Sequence, residues 1–150
     1  MEIEIREPKN ELEWEQYYDL RYRILRQPWN QPRGSERNEG DATGLHFALY
    51  ENEILKAIAR LDINDNRSAQ VRFMAVETEI QRKGYGKQVM LAIDAYCKEK
   101  NISEIVLHAR ETAIPFYESL DYQLVEKSHL LFNEIQHFLM TKKNEIKLNF

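Results

Sequence analysis

The sequence predicts an α/β fold in which a mixed, mainly antiparallel sheet is flanked by helices. Three observations predict it. Apolar residues recur at alternate positions in some segments and at spacings of three and four in others, in the order β-α-loop-βββ-α-β-α-ββ. Hydrophobic residues make up 43% of the 150 residues, which suits one packed core. Two glycines, Gly84 and Gly86, separate an apolar strand from a helix. We therefore expect a single domain over residues 1–150.

The first third of the chain contains a strand, a helix and a long loop. Residues 2–6 alternate with period two and predict a strand. Residues 11–25 carry apolar positions at helical spacing, with acidic residues in the first turns and arginines in the last, as the helix dipole favours. Residues 27–44 hold two prolines and three glycines and predict a loop, with a short helix around Ser35–Asn38. Loops of this length in a compact domain are often functional.

Three strands follow the loop. Residues 45–51 and 54–62 predict a hairpin with Asn52 and Glu53 in its turn. Residues 69–77 predict a third strand, and its later apolar run is typical of a strand buried on both faces.

The second half of the chain predicts two helices and three strands. Asn101 is expected to end the first helix, and Pro115 to begin the main length of the second. In chain order, the elements are a helix over 86–100, a strand over 104–109, a helix over 111–120, and an antiparallel pair over 121–130 and 135–143.

Composition excludes several classes of protein. The net charge is −4 and the pI is near 5.6, with no basic excess outside residues 82–87, so a nucleic-acid partner is not expected. The single cysteine, Cys97, has no partner for an internal disulfide or a cysteine metal site. The N-terminus lacks the pattern of a signal peptide, and no apolar run approaches the roughly 20 residues that span a bilayer. We expect a soluble, cytoplasmic protein without a membrane partner.

The stretch QRKGYGK, residues 81–87, joins the third strand of the βββ segment to the following helix. Glycine allows backbone to approach a ligand closely, and a helix N-terminus presents unpaired N–H groups with partial positive charge. Arg82, Lys83 and Lys87 add full charges. The junction therefore predicts a phosphate or pyrophosphate cradle. A tight turn with solvated lysines is the alternative.

Two segments resemble motifs of the GNAT superfamily of N-acetyltransferases. VRFMAVETEIQRKGYGKQVM is similar to the acyl-CoA-binding motif, through the triplet Met74-Ala75-Val76 and the signature Gln81, Gly84 and Gly86. ARETAIPFYESLDY is similar to a second motif, through Ala113, Phe116, Tyr117 and Tyr122. The motifs occur in family order, and the element order matches the GNAT fold over nearly the whole chain.

The resemblance implies acetyl-CoA as cosubstrate. Main-chain groups of Met74 and Val76, flanking Ala75, would pair with the pantetheine arm as a peptide adds to a sheet edge. The pyrophosphate would lie on the backbone of Arg82, Lys83, Gly84, Tyr85, Gly86 and Lys87. The chain departs from the family where Arg82 replaces a frequent Gly, Thr78 a frequent Pro, Asp121 a frequent Gly and Arg110 a frequent Asn. Arg110 would meet a CoA phosphate or pair with a nearby carboxylate.

The resemblance also implies a reaction, in which a primary amine of a small molecule or peptide attacks the acetyl thioester directly. Tyr117 matches the tyrosine assigned as the acid for the leaving thiolate; a core tyrosine is the alternative. Glu77 would accept a proton through water or attract a cationic amine, or is simply a solvated strand end. His46 and His108 are weaker candidate bases. No histidine pair has convincing metal spacing, and the reaction requires no metal.

The acceptor is expected between the loop over 27–44 and the last two strands. Arg21, Arg26 and Trp29 could line this groove, although Trp29 could equally cap the core. A non-catalytic acyl-CoA-binding or sensing protein is the main alternative function. An acetyltransferase acting on RNA is disfavoured by the acidic pI. A dinucleotide-binding oxidoreductase is set aside because Val89 stands where a third glycine is required. A homodimer is common in the family and is left open.

Overall fold

The computed structural model describes residues 2–64, 67–78 and 83–144. Seven strands form one sheet in the order β1-β2-β3-β4-β5-β7-β6. Pairing is antiparallel between β1 and β2, β2 and β3, β5 and β7, and β6 and β7, and parallel between β4 and β5. The predicted fold class, a mixed and mainly antiparallel sheet with flanking helices, is confirmed. The strands are β1 (Ile3–Arg6), β2 (Leu45–Glu51), β3 (Ile54–Ile63), β4 (Ser68–Val76), β5 (Glu104–Arg110), β6 (Gln123–Leu131) and β7 (Ile135–Lys143); the helices are α1 (Glu11–Leu25), α2 (Tyr85–Glu99) and α3 (Ile114–Glu118).

The chain divides into two compact units. The first comprises Met1–Asp62 and Phe73–Asp94, and the second Ile63–Arg72 and Ala95–Phe150. β4 and α2 therefore each contribute to both units. The single domain over residues 1–150 stays a prediction.

α1 forms the helical layer of the first unit. The Asn10 side chain caps it by accepting from the Glu13 N–H at 2.9 Å, and acidic residues occupy the first turn and Arg23 the last. Tyr17 and Leu20 on its inner face are fully buried. They join a core made with β2, β3 and the end of β4, which contains Ala48, Tyr50, Leu55, Ile58 and Ala75.

The β2–β3 hairpin turns at Asn52 and Glu53, as predicted. Both residues have positive φ, 50° and 68°, the conformation that a two-residue type I′ turn requires. The register pairs Glu51 with Ile54 across the turn.

The second unit is built on β5, which lies between the start of β4 and β7. β4 pairs with β5 from Ser68↔Glu104 to Gln70↔Val106, and β5 pairs with β7 from Glu104↔Lys143 to Arg110↔His137. Asn101 ends α2 with φ 59°, and the Ile102 N–H donates to the Cys97 carbonyl at 2.8 Å. The predicted helix end is therefore confirmed.

Two predicted helices differ from the structure. The short helix around Ser35–Asn38 is wrong: Asn38 instead caps a 3₁₀ helix over Glu39–Ala42, because its side chain accepts from the Gly40 N–H. A second 3₁₀ helix occupies Gln27–Trp29. The predicted helix over 111–120 is divided into a 3₁₀ turn, Glu111–Ala113, and α3.

Candidate active site

A glycine turn leads into the N-terminus of α2. Gly84 has φ +83°, which favours glycine, and a Cβ added there would meet no heavy atom of the described residues within 4 Å. The Gln88 N–H donates to the Gly84 carbonyl at 3.1 Å and starts the helical ladder. The N–H groups before it point along the axis out of the helix, where the dipole is positive. Exposed Lys83 and Lys87 flank the turn, so this geometry suits a phosphate.

The side chain of Tyr85 is engaged by β2. Its hydroxyl donates to the Glu51 carboxylate at 2.8 Å, which ties α2 to β2. Gly86 is buried. Both residues can therefore serve the predicted cradle through backbone N–H groups alone. The predictions for Gln81 and Arg82 lie outside the described residues.

The end of β4 is irregular just before the Met74-Ala75-Val76 triplet. Phe73 has φ +56°, which an aromatic L-residue rarely adopts. Its ring lies under three guanidinium groups, with ring centroid distances of 4.3 Å for Arg21, 5.0 Å for Arg60 and 5.6 Å for Arg26. These cation–π contacts hold the unusual conformation in place. Ala75 is buried, whereas Met74 and Val76 are half-buried, so the expected burial of the apolar run on both faces is only partial.

Glu77 follows the triplet and forms a bidentate ion pair. Its carboxylate oxygens accept from the two terminal nitrogens of Arg23 at 2.7 and 3.0 Å, and its N–H donates to the Lys56 carbonyl of β3. Arg23 also donates to Asp19 at 2.7 Å. The hydrogen bonds from Arg23 lower the pKa of Glu77 against the opposing effect of burial. The carboxylate is therefore charged at neutral pH and is a weaker base than a free glutamate.

Asp41 anchors the loop over 27–44 to the first unit. Its Oδ1 accepts from Arg21 and Arg60, both at 2.8 Å, and its Oδ2 accepts from the Asn38 N–H. Both arginines are fully buried. Burial alone would raise the pKa of Asp41, but the hydrogen bonds from Asn38, Arg21 and Arg60 outweigh it and lower the pKa. A Cβ added at Gly40 would lie 2.6 Å from an Arg60 nitrogen, so glycine permits this close approach.

The arginines expected to line an acceptor groove serve this loop instead. Arg21 donates to the Glu36 carbonyl and has no exposed surface, so it positions the loop from within. Arg26 donates to the Ser35 carbonyl at 3.1 Å. Trp29 is half-buried at the end of the 3₁₀ helix Gln27–Trp29.

Tyr117 lies in α3 of the second unit. Its side chain is buried, with ring contacts to Phe116 and Tyr122 at 5.0 and 5.9 Å between centroids. Burial raises its pKa to about 12, and the charge of Arg110 opposes that shift. The phenol keeps its proton at neutral pH, as an acid for a thiolate must. Arg110 is exposed, and it forms no ion pair with a carboxylate among the residues that the structure describes.

The four histidines have two different settings. His46 is buried in the first unit, where Nδ1 lies 2.8 Å from the Tyr17 hydroxyl and Nε2 donates to the Asp41 carbonyl at 2.9 Å. Both of its nitrogens are used structurally, which argues against a role as base. His108, His129 and His137 are grouped in the second unit, with ring centroids 5.1 and 4.5 Å apart in that order.

Over the described ranges, no group of three or more His, Cys, Asp or Glu residues could hold a metal ion. Nor does any helix in these ranges have the length and apolar character needed to cross a bilayer.

Residues 28–144 match the family model described as "Acetyltransferase (GNAT) domain". The chain belongs to the GNAT acetyltransferase family. The resemblance predicted from the two motifs is thereby confirmed, and GNAT acetyltransferases use acetyl-CoA as acyl donor.

Relatives of known sequence and structure are consistent with this GNAT assignment. A Bacillus subtilis (strain 168) protein named "Putative acetyltransferase BSU40680" is 29% identical over 103 residues, 69% of each chain. The structure of an aminoglycoside 6'-N-acetyltransferase complexed with coenzyme A matches with a TM-score of 0.81 and 14% sequence identity, over 99% of this chain and 100% of the other. The ribosomal-protein-S18-alanine N-acetyltransferase from Escherichia coli has a TM-score of 0.74 at 18% identity, over 99% and 100%. At these identities the structural matches show the fold.

The sequence did not identify the residues that support the GNAT motifs. In the sequence Arg23 is only a charge near the end of a helix, whereas in the structure it holds Glu77. Asp41 and Arg60 belong to no recognisable motif. The sequence does contain one indication of a role for Arg23. It lies four residues after Asp19 on α1, a spacing that indicates an ion pair on the exposed face of that helix.

Proposed function

We propose that this GNAT protein transfers the acetyl group of acetyl-CoA to a primary amine of a small molecule or peptide by direct attack. The glycine turn at Gly84, opening directly onto the N-terminus of α2, is the observation that carries the proposal. A turn of this kind is suited to a pyrophosphate, and it lies within the segment that matches the GNAT family model.

Acetyl-CoA would be held mainly by backbone. The pyrophosphate would accept from N–H groups within residues 82–87, with Lys83 and Lys87 adding charge. The main chain of the Met74-Ala75-Val76 triplet would pair with the pantetheine arm, and the positive φ of Phe73 supports an interruption of regular strand geometry at that point. Gln81 belongs to the same signature.

The chemistry requires three proton transfers. The acceptor ammonium loses one proton, the amine nitrogen attacks the carbonyl carbon, the nitrogen loses its second proton to water, and the C–S bond breaks to give a neutral amide and a thiolate that takes up a proton. In our proposal Tyr117 donates its phenolic proton to the thiolate and is reprotonated by solvent. Glu77 attracts the ammonium and accepts its proton through water. The Arg23 ion pair favours the electrostatic part of this role over strong basicity.

The names of the structural neighbours support an amine as acceptor. The two that are compared above act, by their names, on an aminoglycoside and on an alanine of a ribosomal protein, and both are N-acetyltransferases. Their acceptors differ in size and chemistry. The two names therefore support formation of an N-acetyl bond, but they do not support any particular acceptor.

Calorimetric titration with acetyl-CoA and CoA, followed by thiol release with a panel of primary amines, tests the proposal. We expect micromolar binding, weakened about tenfold or more in a Lys83→Gln, Lys87→Gln double variant. Lys98→Gln, at the opposite end of α2, is the matched control and should bind normally. Absence of binding in the wild type would refute the proposal. Binding without turnover on any amine would favour the non-catalytic alternative.

A further inference from the structure

One face of the sheet in the second unit concentrates basic side chains. Gln70 of β4 and Val106 of β5 are partners in the parallel ladder. Arg72 lies two residues beyond Gln70, and His108 lies two residues beyond Val106. Arg110 stands directly opposite His137 in the β5–β7 ladder. Since alternate residues of a strand share a face, these side chains lie on one side of the sheet. The basic face comprises Arg72, His108, Arg110, Ser128, His129 and His137.

The three imidazole rings form a continuous group. His129 and His137 are stacked, with ring planes 18° apart and centroids separated by 4.5 Å, and His108 lies 5.1 Å from His129. The Ser128 hydroxyl lies 2.8 Å from His108 Nδ1. His137 Nδ1 must carry a hydrogen, because it lies 3.1 Å from the Ile135 carbonyl, which only accepts. Its Nε2 is therefore the nitrogen that gains a proton.

The charges acting on these rings are positive. Burial lowers the pKa of His108, and His129 and Arg72 lower it further. Burial is also the largest effect lowering the pKa of His137, to which His129, Arg110 and His108 add, while the Ile135 carbonyl opposes them.

Among the described residues, no carboxylate forms an ion pair with any of the three histidines. This includes Glu126 on β6, which stands opposite Leu139 on the same face as His108. His129 and Arg110 are exposed, and His108 and His137 are half-buried, so a small ion has access to the face. A group of donors held together against mutual repulsion, with solvent access, is suited to an anion.

We infer that the basic face binds an anionic group, a carboxylate or a phosphate, carried by the acetyl acceptor. The acceptor would then be an amine that also bears an acid, which narrows the substrate class; this second part rests on the proposed function. The guanidinium of Arg110 is the natural partner of a planar carboxylate or a phosphate. The imidazoles and the Ser128 hydroxyl supply the remaining donors.

Proton binding and anion binding are linked at such a face. An anion favours the imidazolium form, so it raises the pKa of His108 and His137 from their lowered values. By the same linkage, anion affinity strengthens as the pH falls through those raised pKa values and weakens above them. A basic face without an anion site would show no such coupling.

The first experiment measures the Cε1–H resonances of the histidines against pH, in sodium chloride and then with sodium acetate or sodium phosphate at equal ionic strength. We expect acetate or phosphate to raise the pKa of His108 and His137 by about one pKa unit. Arg110→Gln should reduce the response. Lys127→Gln, which removes a charge opposite Phe138 on the other face of β6, should leave it intact. Unchanged titration with both anions would overturn the inference.

The second experiment identifies the source of the anion. Initial rates are compared for an amino carboxylate, its uncharged amide and an aminoalkyl phosphate of similar length. We expect kcat/KM for one acidic amine to exceed that of the amide about tenfold at pH 6.5 and less at pH 8.5. Equal rates for all three would overturn the acceptor assignment. So would CoA alone shifting His108 and His137 as the anions do, because the bound group would then be a phosphate of CoA.

The two experiments separate this inference from the proposed function. Histidine titration needs no turnover, so an anion response without acetylation of any amine would leave the binding site standing and refute the transferase. Acetylation of an amine with no anion response would support the transferase and refute the anion site.

Discussion

The guanidinium of Arg23 donates to both carboxylate oxygens of Glu77, at 2.7 and 3.0 Å. Arg23 is in the last turn of α1, and Glu77 is the first residue after β4. The pair therefore fixes the helix to the end of the strand that carries the Met74-Ala75-Val76 triplet. It also keeps the carboxylate ionised, which suits attraction of a cationic amine better than abstraction of its proton.

Replacing Arg23 by Met should move the acid limb of the pH–rate profile. Without its partner the pKa of Glu77 returns upward, so the ionised form is lost at a higher pH and kcat/KM falls earlier on acidification. Because both side chains are about one-third exposed and solvent screens the pair, the displacement should be small. The profile of kcat/KM between pH 5 and pH 8 measures it. Arg33→Met removes an ion pair with Asp19 and a contact with the Tyr22 ring but keeps the Arg23–Glu77 pair, so it should leave the limb in place. An unmoved limb in Arg23→Met would exclude Glu77 from the reaction.

Substitution of Gly84 separates backbone strain from charge. At φ +83° any L-residue is strained, so Gly84→Ala should cost about 1 kcal/mol of folding stability, although the added methyl has space. Gly84→Glu has the same strain and adds a carboxylate where the pyrophosphate is proposed to bind. We expect acetyl-CoA affinity to fall about tenfold or more beyond the alanine variant. Calorimetry measures the affinity and thermal unfolding the stability. Equal affinities in both variants would show that no phosphate binds there.

Most of the fold could be predicted from local pattern. The bounds of α1 and β2 agree with the sequence analysis, because capping at Asn10 and the Asn52-Glu53 turn are local signals that tertiary contacts reinforce. The helix expected around Ser35–Asn38 failed for the opposite reason. Asn38 can cap as well as continue a helix, and the buried arginines that hold Asp41 select the cap.

The site was predictable only where it has a motif. Glycine spacing located the turn at Gly84, and the second motif located Tyr117. The partners of the candidate side chains come from distant positions, as when Arg23 meets Glu77 or Ser128 meets His108. The three clustered histidines lie on three strands, and their proximity depends on the order β5-β7-β6, which the hydrophobic pattern does not specify.

Tyr117→Phe should remove catalysis without removing the cosubstrate. If Tyr117 protonates the thiolate, kcat should fall about 10²-fold or more, whereas the Kd for acetyl-CoA should be unchanged. Because the pKa of Tyr117 is raised to about 12, its ionisation should not limit the wild-type rate below about pH 11. Steady-state rates and calorimetry on the same preparation give both values. Phe116→Leu, a neighbouring change in the same ring cluster, controls for altered packing. A Tyr117→Phe enzyme with normal kcat would leave Tyr117 a core residue.

Asp41→Asn should destabilise the first unit and loosen its long loop. The substitution removes the carboxylate that is ion-paired with the fully buried Arg21, which typically costs roughly 3–5 kcal/mol. Arg60 loses one of two carboxylate partners and keeps Asp62. The pKa of Asp41 is lowered in the folded protein, so its stabilisation is present above the unfolded pKa of about 3.9 and is lost as the pH falls through the folded pKa. The difference between wild type and variant should therefore be largest near neutral pH and shrink below about pH 4. Urea unfolding at several pH values measures it, with Glu39→Gln as an exposed control in the same 3₁₀ helix. A difference that does not change with pH would show that the lost hydrogen-bond geometry, and not the Asp41 charge, accounts for the destabilisation.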